Sequence, residues 1–281
     1  IISTAYSKWI RSYRDLPILL NQWNTVVRWE TKETRLFLRG REILWQEGHC
    51  VFETNEQAEK NALDVLMIYK DLMEDILACP VIIGRKSEAE KFGGASTTYT
   101  VEIPTPDNSM IQSATSHNLG QNFSKLFDIK FLNKENKWSY VYQTSWGVSM
   151  RSIGAMIMVH GNDNGLVLPP KVAPIQVIII PIFDGKNDDA ISEFSNEVYE
   201  KLRKMGIRAE IDNRKIYSPG WKFNEYEIKG IPIRIEIGLD EIKSRAVTYK
   251  IRLDKLKAKI NIDDLEKFTD ILDEIQEKMF D

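Results

Sequence analysis

A proline pair, Pro169-Pro170, divides this 281-residue sequence into two stretches of different texture, so a single continuous core is not expected. Six of the seven tryptophans stand at or before Trp146, whereas the 111 residues after the pair hold 42 charged side chains. Pro-Pro opens a linker, and the shift in composition coincides with it, which sets a boundary near 170–175. At 43% hydrophobic residues the chain buries a real core and is not disordered. Cys50 and Cys79 are too few for a disulfide scaffold or a four-cysteine zinc site. His49, His117 and His160 form a metal site only if all three converge, and no metal site is expected. No run of 18 apolar residues exists, so neither a transmembrane helix nor a membrane partner is expected. The start, Ile1-Ile2-Ser3-Thr4-Ala5, has no methionine and no basic region, and reads as the middle of a longer chain rather than a signal peptide. A reduced, cytoplasmic protein is the expectation.

The net charge of −3 averages unlike segments. Residues 1–170 are near neutral, with 18 basic and 19 acidic side chains. Residues 200–259 carry 16 basic and 9 acidic side chains, and the last 22 residues carry 2 and 8. A basic stretch within an acidic protein points to a localised polyanion contact; an ordinary charged α/β surface explains it as well.

The first stretch reads as a helix over 4–14, ended by Pro17, then an extended run over 18–30 with a returning strand over 36–47. Thr54 and Gln57 make a capping box for a helix running to about Leu77. Further strands at 97–103, 109–114 and 138–144 suggest an antiparallel sheet with helices on one side. Beyond 174 the apolar run Gln176–Ile182 suits a buried strand. A helix over 188–205, a strand over 207–211, a turn, strands over 231–237 and 247–253, and a final helix over 263–279 follow. That alternation argues for a small, mostly parallel or mixed α/β domain.

Arg28 and Glu30 share a face if extended, as do Arg39 and Arg41 across the loop. Guanidinium groups so clustered suit a polyphosphate through bidentate contacts; solvated hairpin charges are the plainer reading. Trp45 and Glu47 share a face and offer an aromatic wall and an anion to a ligand's ammonium. His49 on the same strand reads as structural. Thr115–Phe123 holds too many hydrogen-bonding groups for a plain turn, and reads as lining a site. Trp146-Gly147-Val148-Ser149-Met150-Arg151 reads as strand, turn and helix, with Arg151 at a helix start where the dipole assists phosphate binding. The P-loop and dinucleotide-binding glycine motifs are absent, and so are a nucleophile elbow and a zinc spacing.

Val27-Arg28-Trp29-Glu30, the run Phe37–His49, Thr115–Phe123, Thr144-Ser145-Trp146-Gly147 with Arg151, and Val159–Pro170 together closely resemble prolyl-tRNA synthetase of the archaeal and eukaryotic type. Ser218-Pro219-Gly220-Trp221-Lys222-Phe223-Asn224 and Lys229-Gly230-Ile231-Pro232 extend the resemblance over essentially the whole chain. It implies an α+β class II catalytic domain over 1–170, an antiparallel sheet flanked by helices, and a small α/β anticodon-binding domain over 171–281. The implied activity is ATP-dependent ligation of proline to tRNA(Pro) through a prolyl-adenylate, with ATP and Mg²⁺ required.

By the same resemblance Arg28 holds the α-phosphate and the proline carboxylate, Glu30 meets adenine, and Arg39 and Arg151 grip phosphates. Gln112 and Thr115 match nucleotide-side positions. Trp45, Glu47 and His117 match the wall of the proline pocket, and Ser145 and Gly147 its floor. Arg214, Lys222 and Lys229 are candidate anticodon contacts. A homodimer is implied through a first motif that lies before Ile1 in relatives, together with a Thr-Ser-Glu segment; a cysteine-bearing terminal domain is expected after Asp281. Ile43 stands where an aromatic is usual and Met150 where a small hydroxyl residue is usual. Nothing between Phe52 and Gln112 is long enough for the editing insertion of bacterial-type relatives. The alternative is a catalytically silent tRNA-binding or regulatory paralogue, against which Arg28, Glu30, Arg39 and Arg151 argue.

Overall fold

A computed structural model describes all 281 residues, which divide into two compact units: residues 1–75 with 80–155, and residues 76–79 with 156–281.

The first unit contains α1 (Ile2–Trp9), β1 (Ile18–Val27), β2 (Glu42–Phe52), α2 (Asn55–Asp71), β3 (Ile82–Arg85), β4 (Thr97–Pro104), β5 (Met110–Gly120), α3 (Asn122–Leu126), β6 (Lys130–Leu132), β7 (Trp138–Tyr140) and β8 (Tyr142–Ser149). Helix α4 (Arg151–His160) begins in it. Six strands form one antiparallel sheet in the order β1-β2-β8-β5-β4-β3. Helix α2 starts at the expected capping box, with Thr54 accepting from the Gln57 amide and Gln57 accepting from the Thr54 amide. Its apolar stripe, Ala58, Ala62, Val65, Leu66 and Tyr69, is buried. Polar ties bind it to the sheet: Ser116 donates to the Ala62 carbonyl at 2.7 Å, Tyr69 to Gln46 Oε1 at 2.8 Å and Thr144 to Asn61 Oδ1 at 2.7 Å. Since side chains alternate along a strand, this commits the neighbouring positions to the sheet's other face.

Three local expectations shift. The first helix ends at Trp9, because Ser12 and Asp15 cap a separate 3₁₀ turn, Tyr13–Asp15. The returning strand starts at Glu42 rather than 36: residues 28–41 form a loop closed by an Arg35–Arg39 bridge, with Phe37 at φ 60°. The polar run Thr115–Phe123 is strand β5 to Gly120 and then α3, so its hydrogen-bonding side chains stand on a sheet.

The second unit contains β9 (Val177–Pro181), α5 (Asp188–Lys204), β10 (Ala209–Ile211), α6 (Pro219–Ile228), β11 (Ile233–Ile237), α7 (Leu239–Ser244), β12 (Ala246–Ile251), β13 (Lys257–Asn261) and α8 (Lys267–Phe280). The strand order is β10-β9-β11-β12-β13; β9 runs parallel to both neighbours, and the other pairs are antiparallel. β9 reads as an unbroken apolar run because both its faces are covered. Val177 and Ile179 pack with Phe194 and Val198 of α5 and Phe268 and Leu272 of α8. Ile178 and Ile180 pack with Ile231, beside Phe223 and Tyr226 of α6. Helix α6 occupies what the sequence presented as a turn: Ser218 caps it and Pro219 takes its first position. The proline pair is fastened within this unit, since the Pro170 carbonyl accepts from Arg208 at 2.6 Å and from Gln176 at 3.1 Å.

Candidate functional site

Strand register explains how residues far apart in sequence meet on the face opposite α2. Glu47 lies across from Gly147, and Gly147 from Thr115. One step along, His49 lies across from Ser145, Ser145 from His117, and His117 from Thr98. A third row sets Asn24 against Trp45 and Trp45 against Ser149. Directly paired residues share a face, so three rows on five strands make one continuous polar floor.

That floor lines an open cleft of about 1310 Å³. Arg28, Trp45, Glu47, Gln112, Thr115, His117, Ser145, Gly147 and Arg151 all line it. Glu30 and Arg39 belong to the loop beside it and pair with each other at 3.7 Å. Burial pushes the Arg151 guanidinium pKa below its ordinary value; the positive charges of Arg39 and Arg28 push the same way, and Glu30 opposes them. Three like charges within reach of one another form a pocket of positive potential suited to a polyphosphate. Arg151 is aimed by the loop over residues 28–41: its Nε donates to the Leu38 carbonyl at 2.9 Å. Gly154 permits this, because a Cβ there would stand 2.8 Å from Leu38 and 3.0 Å from Phe37.

The other end of the cleft is aromatic and acidic. The Arg28 guanidinium lies 5.1 Å from the Trp45 ring centre, and the Trp45 indole N–H is buried without a partner, an open donor. Glu47 accepts from Gln22 at 2.6 Å and Asn24 at 3.2 Å, and its second oxygen lies 3.1 Å from His49 Nε2. Burial lowers the His117 pKa to about 4, so the ring is neutral at pH 7. Its Nδ1 lies 3.0 Å from the Thr98 hydroxyl, and its ring lies 5.0 Å from that of Phe92. Gly48 and Trp146 fix the spacing behind this floor: the Trp146 ring fills the space over Gly48, where a Cβ would stand 2.1 Å from it.

His49, read from sequence as structural, lines the cleft; Lys86, Glu90, Phe92 and Thr98 do as well, unforeseen. Only the β4–β5 register brings Thr98 to His117, and no local motif carries that signal. No three His, Cys, Asp or Glu side chains converge to hold a metal ion. His160 meets Cys79 instead, at 3.6 Å, in a part-buried contact.

In the second unit the three expected anticodon contacts part company. Lys229 is exposed and pairs with Glu225 at 2.6 Å. Arg214 is half-exposed and donates twice to Asp212, at 2.9 and 2.7 Å. Lys222 is 2% exposed and donates to the Asp212 carbonyl at 2.8 Å, its Nζ 3.6 Å from the carboxylate. A buried, paired ammonium does not reach a polyanion outside, so Lys222 is a structural cation and not a surface contact. Burial raises the Asp212 pKa, but the Arg214 hydrogen bonds and the Lys222 charge outweigh it and hold the carboxyl at about 2.

Residues 1–160 match the family model described as "tRNA synthetase class II core domain (G, H, P, S and T)". The chain belongs to the class II aminoacyl-tRNA synthetases. The second unit of this synthetase chain contains residues 176–270, which match the anticodon binding domain model. Proline--tRNA ligases from Natranaerobius thermophilus and Alkaliphilus oremlandii are 50% and 51% identical over 98% and 95% of this chain. The synthetase chain spans 56% and 55% of those relatives' lengths. A prolyl-tRNA synthetase from Cryptosporidium parvum, solved with L-proline and AMP, superimposes with a TM-score of 0.96 at 45% identity, over 100% of this chain and 61% of that one. The fold is therefore a class II synthetase core followed by an anticodon-binding domain.

Proposed function

We propose that this chain forms the adenylating and tRNA-reading parts of a cytoplasmic proline--tRNA ligase. The observation that carries the reading is the cleft itself, which has Arg28 and Arg151 at one end with Arg39 beside them, and an aromatic, acidic wall at the other, on one sheet. The likeness to proline--tRNA ligases supports it, as does the neighbour solved with L-proline and AMP. The archaeal and eukaryotic subtype is part of the proposal. Its support is the direct run from β2 through α2, β3 and β4 to β5, which leaves no room for an inserted domain.

Residues 1–170 carry the chemistry and residues 171–281 read the anticodon. Glu47 attracts proline's secondary ammonium, and Trp45 and the neutral ring of His117 wall the pyrrolidine over a floor of Ser145 and Gly147. Arg28 holds the carboxylate against the α-phosphate of ATP. Arg39 and Arg151 grip the outer phosphates, Glu30 meets the adenine, and Gln112 and Thr115 flank the nucleotide. The carboxylate oxygen then forms a bond to the α-phosphorus, the bond to the bridging oxygen breaks, and pyrophosphate leaves. No proton moves in this step, so positioning and charge neutralisation supply the acceleration. A hydroxyl oxygen of the terminal adenosine of tRNA(Pro) next bonds to the prolyl carbonyl carbon, the anhydride bond to the phosphate breaks, and AMP leaves with the hydroxyl's proton on its phosphate. The donor set contains no carboxylate cage for Mg²⁺, since Glu30 is the acid among the arginines and is paired with Arg39. Mg²⁺ would therefore enter with ATP, and would supply further charge neutralisation at its phosphates.

The test is proline-dependent exchange of pyrophosphate into ATP, run on the protein that contains this chain, which we take to be a homodimer. Exchange with proline supports the reading. Tight tRNA binding with no adenylate would instead mark a silent paralogue, a role for which the arginine cluster has no use.

A further inference from the structure

Glu47 is held from behind by a neighbouring strand. Gln22 lies directly across from it on β1, and Asn24, two residues on and on the same face, lies across from Trp45. The Gln22 amide donates to Glu47 Oε1 at 2.6 Å, and the Asn24 amide donates to the same oxygen at 3.2 Å. His49 Nε2 lies 3.1 Å from the other oxygen, Oε2. Glu47 and His49 line the cleft, whereas Gln22 and Asn24 stand outside its lining. A carboxylate accepts about four hydrogen bonds, two on each oxygen. Oε1 is therefore filled from β1, and one acceptor position stays open on Oε2, the oxygen that a cleft residue already meets.

Folding alone does not call for this arrangement. β1 is an edge strand of the sheet and most of its side chains are exposed, Gln22 among them. Asparagine is poorly suited to a strand, where β-branched and aromatic residues pack better. Asn24 Oδ1 is moreover buried with no partner, so this amide gives its N–H to Glu47 while leaving its own acceptor unpaired. An unpaired buried acceptor is destabilising. A residue that breaks a local rule in this way marks a position selected for the site rather than for packing.

We propose that Gln22 and Asn24 are positioning residues for Glu47: they occupy Oε1 and fix the carboxylate's rotation, so that Oε2 alone meets the ammonium of the bound amino acid. Neither touches the substrate. Without them the carboxylate turns about its last bond, and the ammonium meets it in several orientations instead of one. That loss falls on amino-acid binding and not on the grip of the arginines on ATP. The assignment rests on the reading above, in which Glu47 attracts proline's ammonium.

The experiment measures proline-dependent pyrophosphate exchange by the protein that contains this chain, with Gln22→Met, Asn24→Leu, Glu47→Gln and the double variant Gln22→Met/Glu47→Gln. Gln22→Met keeps the length of the side chain and removes its donor. It is expected to raise the KM for proline about tenfold, the scale of one bond to a charged acceptor, with the KM for ATP unchanged. Asn24→Leu should shift the KM for proline in the same direction by a smaller factor, because its bond is the longer one. In the Glu47→Gln background Gln22→Met should add no further loss, since no carboxylate remains to be oriented. A merely structural role would add the same loss in both backgrounds, and that result would overturn the proposal. So would a Gln22→Met protein with the unaltered KM for proline, or one whose KM for ATP rises as much. Gln22 is exposed, and an unchanged circular dichroism melt separates lost orientation from lost fold. Glu47→Gln alone reports on the underlying reading: an unaltered KM for proline there would sink the ammonium assignment and the positioning role with it. A loss in Glu47→Gln with none in Gln22→Met would sink the positioning role only.

Discussion

At the residue scale, the proposed mechanism rests on fixed charge and on one histidine kept neutral. Arg28 touches both reactants in the proposed mechanism, and Arg28→Ala is expected to lower exchange by at least about 10²-fold, the scale of losing one preorganised transition-state contact. Steady-state exchange kinetics check this. His117 is held neutral by burial, with its pKa lowered to about 4. Because the folded state resists the proton, the ring's contribution to stability is full above about 6.5 and falls as pH drops from there toward 4. An NMR titration of His117 should give a midpoint well below 6; a midpoint at the ordinary imidazole value would contradict the buried, Thr98-bonded ring. Lys222 is the residue whose chemistry changed most between sequence and structure. Removing its ammonium leaves Asp212 buried with one cation fewer, so Lys222→Met should destabilise the second unit by roughly 3 kcal/mol. Denaturant unfolding measures it.

At the element scale, the site depends on which strand pairs with which. Glu47, Gly147 and Thr115 meet only because β8 lies between β2 and β5, with one register on each side. Gly48 shows how tightly this is built, since the ring of Trp146 occupies the place of its missing side chain. Gly48→Ala should therefore cost about 1–3 kcal/mol of stability, as overpacking does, and disturb the floor beneath Glu47. The capping box at Thr54 and the apolar run of β9 were readable from sequence because both are local signals. The loop over 28–41 was not: its alternation imitates a strand, and only the bridge between Arg35 and Arg39 shows it folding on itself. Helix α6 was hidden by Gly220, although Ser218 and Pro219 are a regular helix start.

At the scale of the whole molecule, there are two units with separate cores, to which the proposed function gives two tasks. The proline pair and the shift in charge made the existence of two parts legible, yet the prolines are bound into the second unit by Arg208 and Gln176. Most of the cleft residues were legible through the resemblance. His49, Lys86, Glu90, Phe92 and Thr98 were not, because their place depends on long-range register that no single stretch records. Local charge likewise pointed to the basic 200–259 segment but not to which cations face outward, since burial of Lys222 follows from packing of α6. Separation of tasks predicts that Arg28→Ala loses adenylate formation while it keeps the unaltered affinity for the anticodon stem-loop; parallel loss of both would deny that separation. The most direct measurement is pyrophosphate exchange by the protein containing this chain, run with each amino acid in turn. Exchange that requires proline is the predicted result. Exchange driven by another amino acid, or none with proline, would contradict the account.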